Sequence, residues 1–200
     1  MKKLVLFLAL LIGISPSLWA QDFLKRKVVE IGKPVPDFQL SDSWGKAIKL
    51  SDYKGKVVMI HFWSATCPFV VRYEPRLQAL TKEYASKDVV VLGIDSNADE
   101  SVAQIRKVAS KRDVNYPILI DSDSKIADAF GAITTPHIYV VNREGLLVYE
   151  GSVDDQGWSE SASVTKQYAR DAIEAALAGK AVPSPKTQTF GCSIKRPSSS

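Results

Sequence analysis

Two side chains in this sequence can act as nucleophiles or redox centres, Cys67 and Cys192, and two can move protons near neutral pH, His61 and His137. Cys67 has the more telling surroundings. It follows the apolar run VVMIHFW (57–63) and precedes Pro68, within the stretch HFWSATCPFVVRYEP. Proline suits the first position of a helix, so Cys67 is expected where a strand gives way to a helix N-terminus. Unpaired N–H groups and the positive end of the helix dipole favour an anion there. Cys67 is therefore read as a reactive thiolate rather than a small buried hydrophobe. A second cysteine three residues on would complete a local dithiol, but that position is Val70. A partner thiol within the chain must then be Cys192. It can resolve an oxidised Cys67, pin the tail in a permanent disulfide, or remain a free thiol. Two histidines and two cysteines at these spacings form no zinc pattern, and neither metal nor cofactor is expected.

The elements that must position these residues follow from the periodicity. Apolar runs at 57–63, 89–94, 117–120, 137–141 and 146–149 read as strands, continuous enough to be covered on both faces. Helical patterns fall at 68–87, 99–112, 123–131 and 162–179, with Pro75 expected to kink the first. NREG (142–145) reads as the turn of a hairpin. Two short strand-like pieces around SWGK form an N-terminal hairpin. The resulting order, hairpin, βαβαβ, short helix, ββ hairpin and closing helix, predicts an α/β fold with a mixed central sheet flanked by helices.

Four segments are expected. Residues 1–20 carry Lys2 and Lys3, an apolar run from Leu4 to Ile14, Pro16 and Ala20 before Gln21. This is the layout of a signal peptide, too short for a comfortable membrane span. Residues 21–29 are a lead-in, 30–180 the folded domain, and 181–200 a flexible polar tail carrying Cys192. Cleavage removes two lysines and no acid, so the formal charge falls from +4 to +2. The basic balance is then no argument for nucleic acid. Export to a periplasmic or extracellular compartment would let a disulfide persist.

The stretch GKVVMIHFWSATCP resembles the strand–cysteine segment of thioredoxin-like proteins, and YPILIDSDSKIADAFGAITTPHIYVVNREGLLVYEG resembles the second half of the same fold. The lead-in PDFQLSDSWGKAIKLSDYKGK is similar to the hairpin of the redoxin branch, which includes the alkyl hydroperoxide reductase/thiol-specific antioxidant proteins and exported disulfide reductases. GCSIK resembles the tail of a subgroup with a CP-x-V site. The resemblance covers residues 30–180 plus the tail and implies a thioredoxin-like fold. It also implies a cis-proline at Thr135–Pro136 facing Cys67, Trp63 over the active-site shelf, and His137 close by. Trp63, Ser64, Thr66, Pro68, Thr135, Pro136 and His137 would shape the site. His61 stands where thioredoxins often keep a buried acid and is a candidate proton relay.

Ser64 has the spacing of the hydroxyl found in peroxiredoxins. However, Ile60 and Pro136 stand where those enzymes carry a proline and an arginine. The implied activity is that of a thiol oxidoreductase in which Cys67 attacks the O–O bond of a peroxide or the S–S bond of a disulfide. Cys192 or an external thiol reductant or partner protein would then resolve the product. The rival reading is a non-catalytic binding module in which Cys67–Cys192 is a structural disulfide.

Overall fold

The computed structural model describes residues 28–198. The proposed signal peptide and most of the lead-in lie outside the described residues. In chain order the elements are β1 (Gln39–Ser41), β2 (Ala47–Lys49), a 3-10 turn (Leu50–Tyr53), β3 (Val57–Trp63), α1 (Pro68–Tyr84), β4 (Val89–Asp95), α2 (Val102–Lys111) and β5 (Ile118–Ile120). They continue as α3 (Lys125–Phe130), β6 (Thr134–Thr135), β7 (His137–Val141), β8 (Leu147–Gly151), α4 (Tyr168–Leu177) and β9 (Cys192–Ser193). The central sheet runs β5-β4-β3-β7-β8. β3, β4 and β5 are mutually parallel, and β7 and β8 are antiparallel to their neighbours. This is the expected mixed sheet, and β1–β2 form the expected hairpin.

Side chains alternate across β3, so the two faces feed separate cores. Val57, Met59 and Trp63 pack with Leu77 and Tyr84 of α1 and with Ile173 of α4. Val58, Ile60 and Phe62 pack with Phe130 of α3 and with Ile48 and Leu50 of the N-terminal segment. Central strands buried on both faces explain their unbroken apolar runs.

Two helix starts differ from the sequence expectation. α2 begins three residues late because Ser101 caps it, its hydroxyl accepting from the Gln104 N–H at 3.2 Å. This leaves Glu100 outside the helix. α4 begins at Tyr168 rather than 162. Thr165 instead donates its N–H to Asp155 Oδ1 at 2.9 Å, and the Ala162 carbonyl accepts from Gln156 at 3.2 Å. Polar side chains here offer the backbone an alternative to the helix. α1, by contrast, runs without interruption through Pro75.

The largest correction concerns the tail. The segment expected to be a flexible polar end is laid along the molecule from Pro185 to Arg196. Pro185 and Thr187 exchange main-chain bonds with Glu150 on the outer edge of β8, at 2.9 and 3.0 Å. The chain then turns to pair β9 antiparallel with β6. Ile194 is buried in the second core. Polar composition led to the expectation of a flexible end because it does not register the main-chain bonds, the bonds of Thr187 and Arg196 and the buried Ile194 side chain that hold the segment.

Candidate functional site

Cys67 is the N-cap of α1, and Pro68 occupies the first helical position. The loop entering it is fixed from below by a single carboxylate. Glu100 accepts the Ser64 hydroxyl (2.6 Å), the Ala65 N–H (2.6 Å), the Thr66 hydroxyl (2.7 Å) and the Thr66 N–H (3.1 Å). Ser64 Oγ in turn accepts the N–H groups of Thr66 (3.2 Å) and Cys67 (3.1 Å). Arg112 donates to the Ala65 carbonyl at 2.8 Å. The loop conformation is thus set by polar groups distant in sequence.

Beside Glu100 lies Asp95, at the end of β4. Burial, then the hydrogen bond to Glu100 and its charge, push the Asp95 carboxyl up to about 9. Burial acts to raise Glu100 too, but the bonds from Asp95, Ser64, Thr66 and Ala65 outweigh it and hold Glu100 below the ordinary glutamate value. The opposite shifts leave one negative charge between the two, with the proton kept on Asp95 and Glu100 ionised.

The Thr135–Pro136 bond is cis. The Thr135 carbonyl accepts from the Cys67 thiol at 3.1 Å. Cys192 pairs with Thr135 across the β6–β9 ladder, and its Sγ lies 2.7 Å from Cys67 Sγ. Both are thiols in this structure. Their separation is well inside non-bonded sulfur contact and close to the ~2.05 Å of a disulfide. Burial, then the hydrogen bond and charge interaction with Cys67, push the Cys192 thiol up to about 11. With the tail in place Cys67 is only 1% exposed.

The remaining residues singled out from the sequence divide into two groups. Ser64, Thr66, Pro68, Thr135 and Pro136 lie at Cys67 or its loop, as described. Trp63 does not cover an exposed shelf. It is fully buried, its indole N–H donating to Glu74 Oε2 at 3.0 Å. His137 does not supply a cation to the sulfur. Its ring stacks on Tyr139, centroids 4.5 Å apart, on the sheet face opposite α1. Burial and the Lys186 charge pull it down to about 4, so it is neutral at physiological pH. His61 lies under α1 and is bonded to the Tyr116 hydroxyl at 3.0 Å. Tyr116 donates to Glu74, so the chain His61–Tyr116–Glu74–Trp63 ends on the indole and never touches Cys67. Burial pulls His61 down to about 3. The relay assigned to it has no path to the sulfur. Val70, where a second cysteine would stand, is fully buried in the core.

Glu74, Asp95, Glu100 and Asn97, which donates its N–H to Asp95 Oδ1 at 2.9 Å and its amide to the Trp63 carbonyl at 3.2 Å, were not foreseen as site residues. Asp95 left a trace in the sequence, an acid closing the apolar run VVVLGID beside the strand that delivers Cys67. Glu100 left none, because only the chain fold brings it 33 residues back to Cys67.

A cysteine at a strand–helix junction, faced by a cis-proline on a β5-β4-β3-β7-β8 sheet, defines a thioredoxin-like α/β protein. The AhpC/TSA family profile matches residues 31–150, and the chain belongs to that family. The thiol-disulfide oxidoreductase ResA of Bacillus thuringiensis is 29% identical over 74% of this chain and 84% of its own length. The thioredoxin-like protein YneN of Bacillus subtilis is 32% identical over 71% and 84%. A solved structure of an uncharacterized conserved protein from Geobacillus kaustophilus matches with a TM-score of 0.80 at 31% identity, covering 87% of this chain and 96% of that one.

Proposed function

We propose that this protein is an exported thiol-disulfide oxidoreductase in which Cys67 is the nucleophile and Cys192 the resolving thiol. One observation carries the reading. The two sulfurs stand 2.7 Å apart at the cis-proline, although 125 positions separate them in the chain. The Cys67 thiolate attacks one sulfur of a substrate disulfide, and the other sulfur leaves as a thiolate that takes up a proton. Cys192 then attacks Cys67 Sγ, passing its proton to the departing substrate sulfur, and the Cys67–Cys192 disulfide forms. An external dithiol resets it. Export rests on the leader, with its two lysines, apolar run and Ala20. No helix among the described residues is long and apolar enough to cross a membrane.

A disulfide is preferred to a peroxide because of what surrounds the sulfur. Ser64 Oγ is committed to Glu100 and to two N–H groups. Arg72 donates to the Gly157 carbonyl at 2.6 Å, and Arg112 donates beneath the loop to Ala65. The bonds that Ser64, Arg72 and Arg112 make thus run to the loop and its supports, and none of them reaches Cys67 Sγ. The carbonyl and main-chain edge of Thr134–Thr135, in contrast, suit an extended polypeptide.

The test is turnover with a disulfide substrate and, separately, with hydrogen peroxide, each coupled to a dithiol. Full-length protein should reduce the disulfide over many cycles. Without the dithiol, Cys192→Ser should stop at a mixed disulfide on Cys67 detectable by mass, where the unsubstituted protein stops at the Cys67–Cys192 disulfide, and Cys67→Ser should form neither. Rapid peroxide turnover with inert disulfides would make the protein a peroxidase instead. A Cys67 that stays unreactive after reduction would leave only the binding-module reading.

A further inference from the structure

The docked tail shows what the β6 edge selects. Cys67 Sγ has the Thr135 carbonyl on one side and is otherwise closed by core and tail. An incoming sulfur must therefore arrive where Cys192 Sγ now sits. A polypeptide bringing that sulfur displaces β9 and keeps most of the binding free energy if it reproduces the contacts of β9.

Those contacts are specific at some positions and open at others. Phe190 meets Trp158 edge-on, centroids 5.7 Å apart, and Trp158 meets Phe69 likewise at 5.2 Å. Trp158 is 62% exposed, so this aromatic wall stands ready at the rim. Gly191 has φ +152°, and a Cβ there would overlap the Thr135 carbonyl. Only glycine fits that approach. Ser193 is exposed and unselective. Ile194 donates its N–H to the Ile133 carbonyl at 3.1 Å and buries its side chain in the second core. Lys195 engages through its main chain alone, its N–H to Asn97 Oδ1 at 3.0 Å and its carbonyl from the Ala98 N–H at 2.7 Å. Arg196 donates to the Ala132 carbonyl at 2.7 Å and to Asp128 at 2.8 Å.

We infer that the protein substrate presents its reactive cysteine in an extended segment of the pattern aromatic–Gly–Cys–any–aliphatic–any–Arg, which takes the place of the tail on β6. The inference rests on the exchange reading above and names its substrate class. It also sets the order of events. Substrate and tail cannot pair with Thr134–Thr135 together, so the substrate strand leaves the edge before Cys192 returns to attack the mixed disulfide. Product release is then a strand exchange as well as a thiol exchange.

The probe is the synthetic peptide TFGCSIKR, its cysteine held as a mixed disulfide with a chromophoric aryl thiol. Attack by Cys67 transfers the peptide to the protein and releases the coloured thiolate. Reduced full-length protein should react with this peptide at least about tenfold faster in kcat/KM than with versions carrying alanine for the glycine or aspartate for the isoleucine. Alanine for the serine should change the rate less than about twofold. Equal rates for all peptides and for a glutathione mixed disulfide would overturn the template while leaving exchange intact. Failure to release the chromophore from any of them would remove the exchange reading and the inference with it. Disulfide-linked dimers through Cys192, formed without any peptide preference, would assign the edge to a second copy and overturn the proposal.

Discussion

Asp95 and Glu100 divide one proton beneath the Cys67 loop, and the division has a consequence for stability. Asp95 is pushed up to about 9 from an ordinary 3.8. Between those values the folded chain keeps a proton that the unfolded chain has lost, so this group makes stability fall as pH rises from about 4 to about 9. The two buried histidines have the opposite sign. Pulled down to about 3 and about 4, they remain neutral while the unfolded chain takes up protons below about 6.5. Their contribution is complete above about 6.5 and is lost as pH falls toward the folded values. Of these three groups only Asp95 still contributes a slope from pH ~6.5 to ~9, at most about 1.4 kcal/mol per pH unit. Asp95→Asn should flatten it, because an amide can donate to Glu100 and still accept from Asn97 without titrating. Melting temperature against pH in the two proteins checks this, and the same decline in both would remove Asp95 as its source.

At the scale of elements, β9 is two residues long and yet decides access to the site. Its position depends on Gly191, whose approach to Thr135 leaves no room for a side chain. Gly191→Ala should detach the tail around Cys192 while the central sheet stays folded. Cys67 should then react with iodoacetamide about tenfold faster or more, equivalent to about 1.4 kcal/mol of lost docking free energy. An unchanged alkylation rate with an intact fold would show that Cys67 is shielded by something other than the tail. Farther back, the second anchor is Thr187, whose hydroxyl accepts the Ser152 N–H at 3.1 Å and bonds Tyr149 at 2.8 Å. It lies over Gly151, where any side chain would collide with it. The tail is thus held at two glycines, one of its own and one on β8.

Across the whole molecule, both edges of the sheet are covered by the ends of the domain. The N-terminal segment meets β5, with the Ser43 N–H donating to the Ile118 carbonyl at 2.8 Å, and the tail meets β8. Covered edges remove the unpaired main-chain groups that invite association. Joining Cys67 to Cys192 would close the chain from α1 to β9 into one loop, the cysteines being 125 positions apart. Chain-entropy arguments put the stabilisation of the oxidised form at up to about 5 kcal/mol. The oxidised protein should therefore melt well above the reduced one, with Cys192→Ser matching the reduced form whether or not reductant is present. Equal melting of oxidised and reduced wild type would show that the tail is held as firmly without the bond.

The strands and the cysteine at a helix start were legible in the sequence because each rests on local physics: apolar runs for strands buried on two faces, and proline at the first turn of a helix; the cis-proline pair was implied only by the resemblance to thioredoxin-like proteins. The opposite sheet faces taken by His61 and His137, the carboxylates under the loop and the docking of Cys192 were not. They depend on which distant groups share a face or an edge, and on a glycine whose importance appears only when the Thr135 carbonyl is beside it. The sequence by itself determined that any internal partner for Cys67 had to be Cys192, since the chain contains no other cysteine. Only the tertiary structure decided that the two meet, because strand pairing between residues so far apart is set by the completed fold.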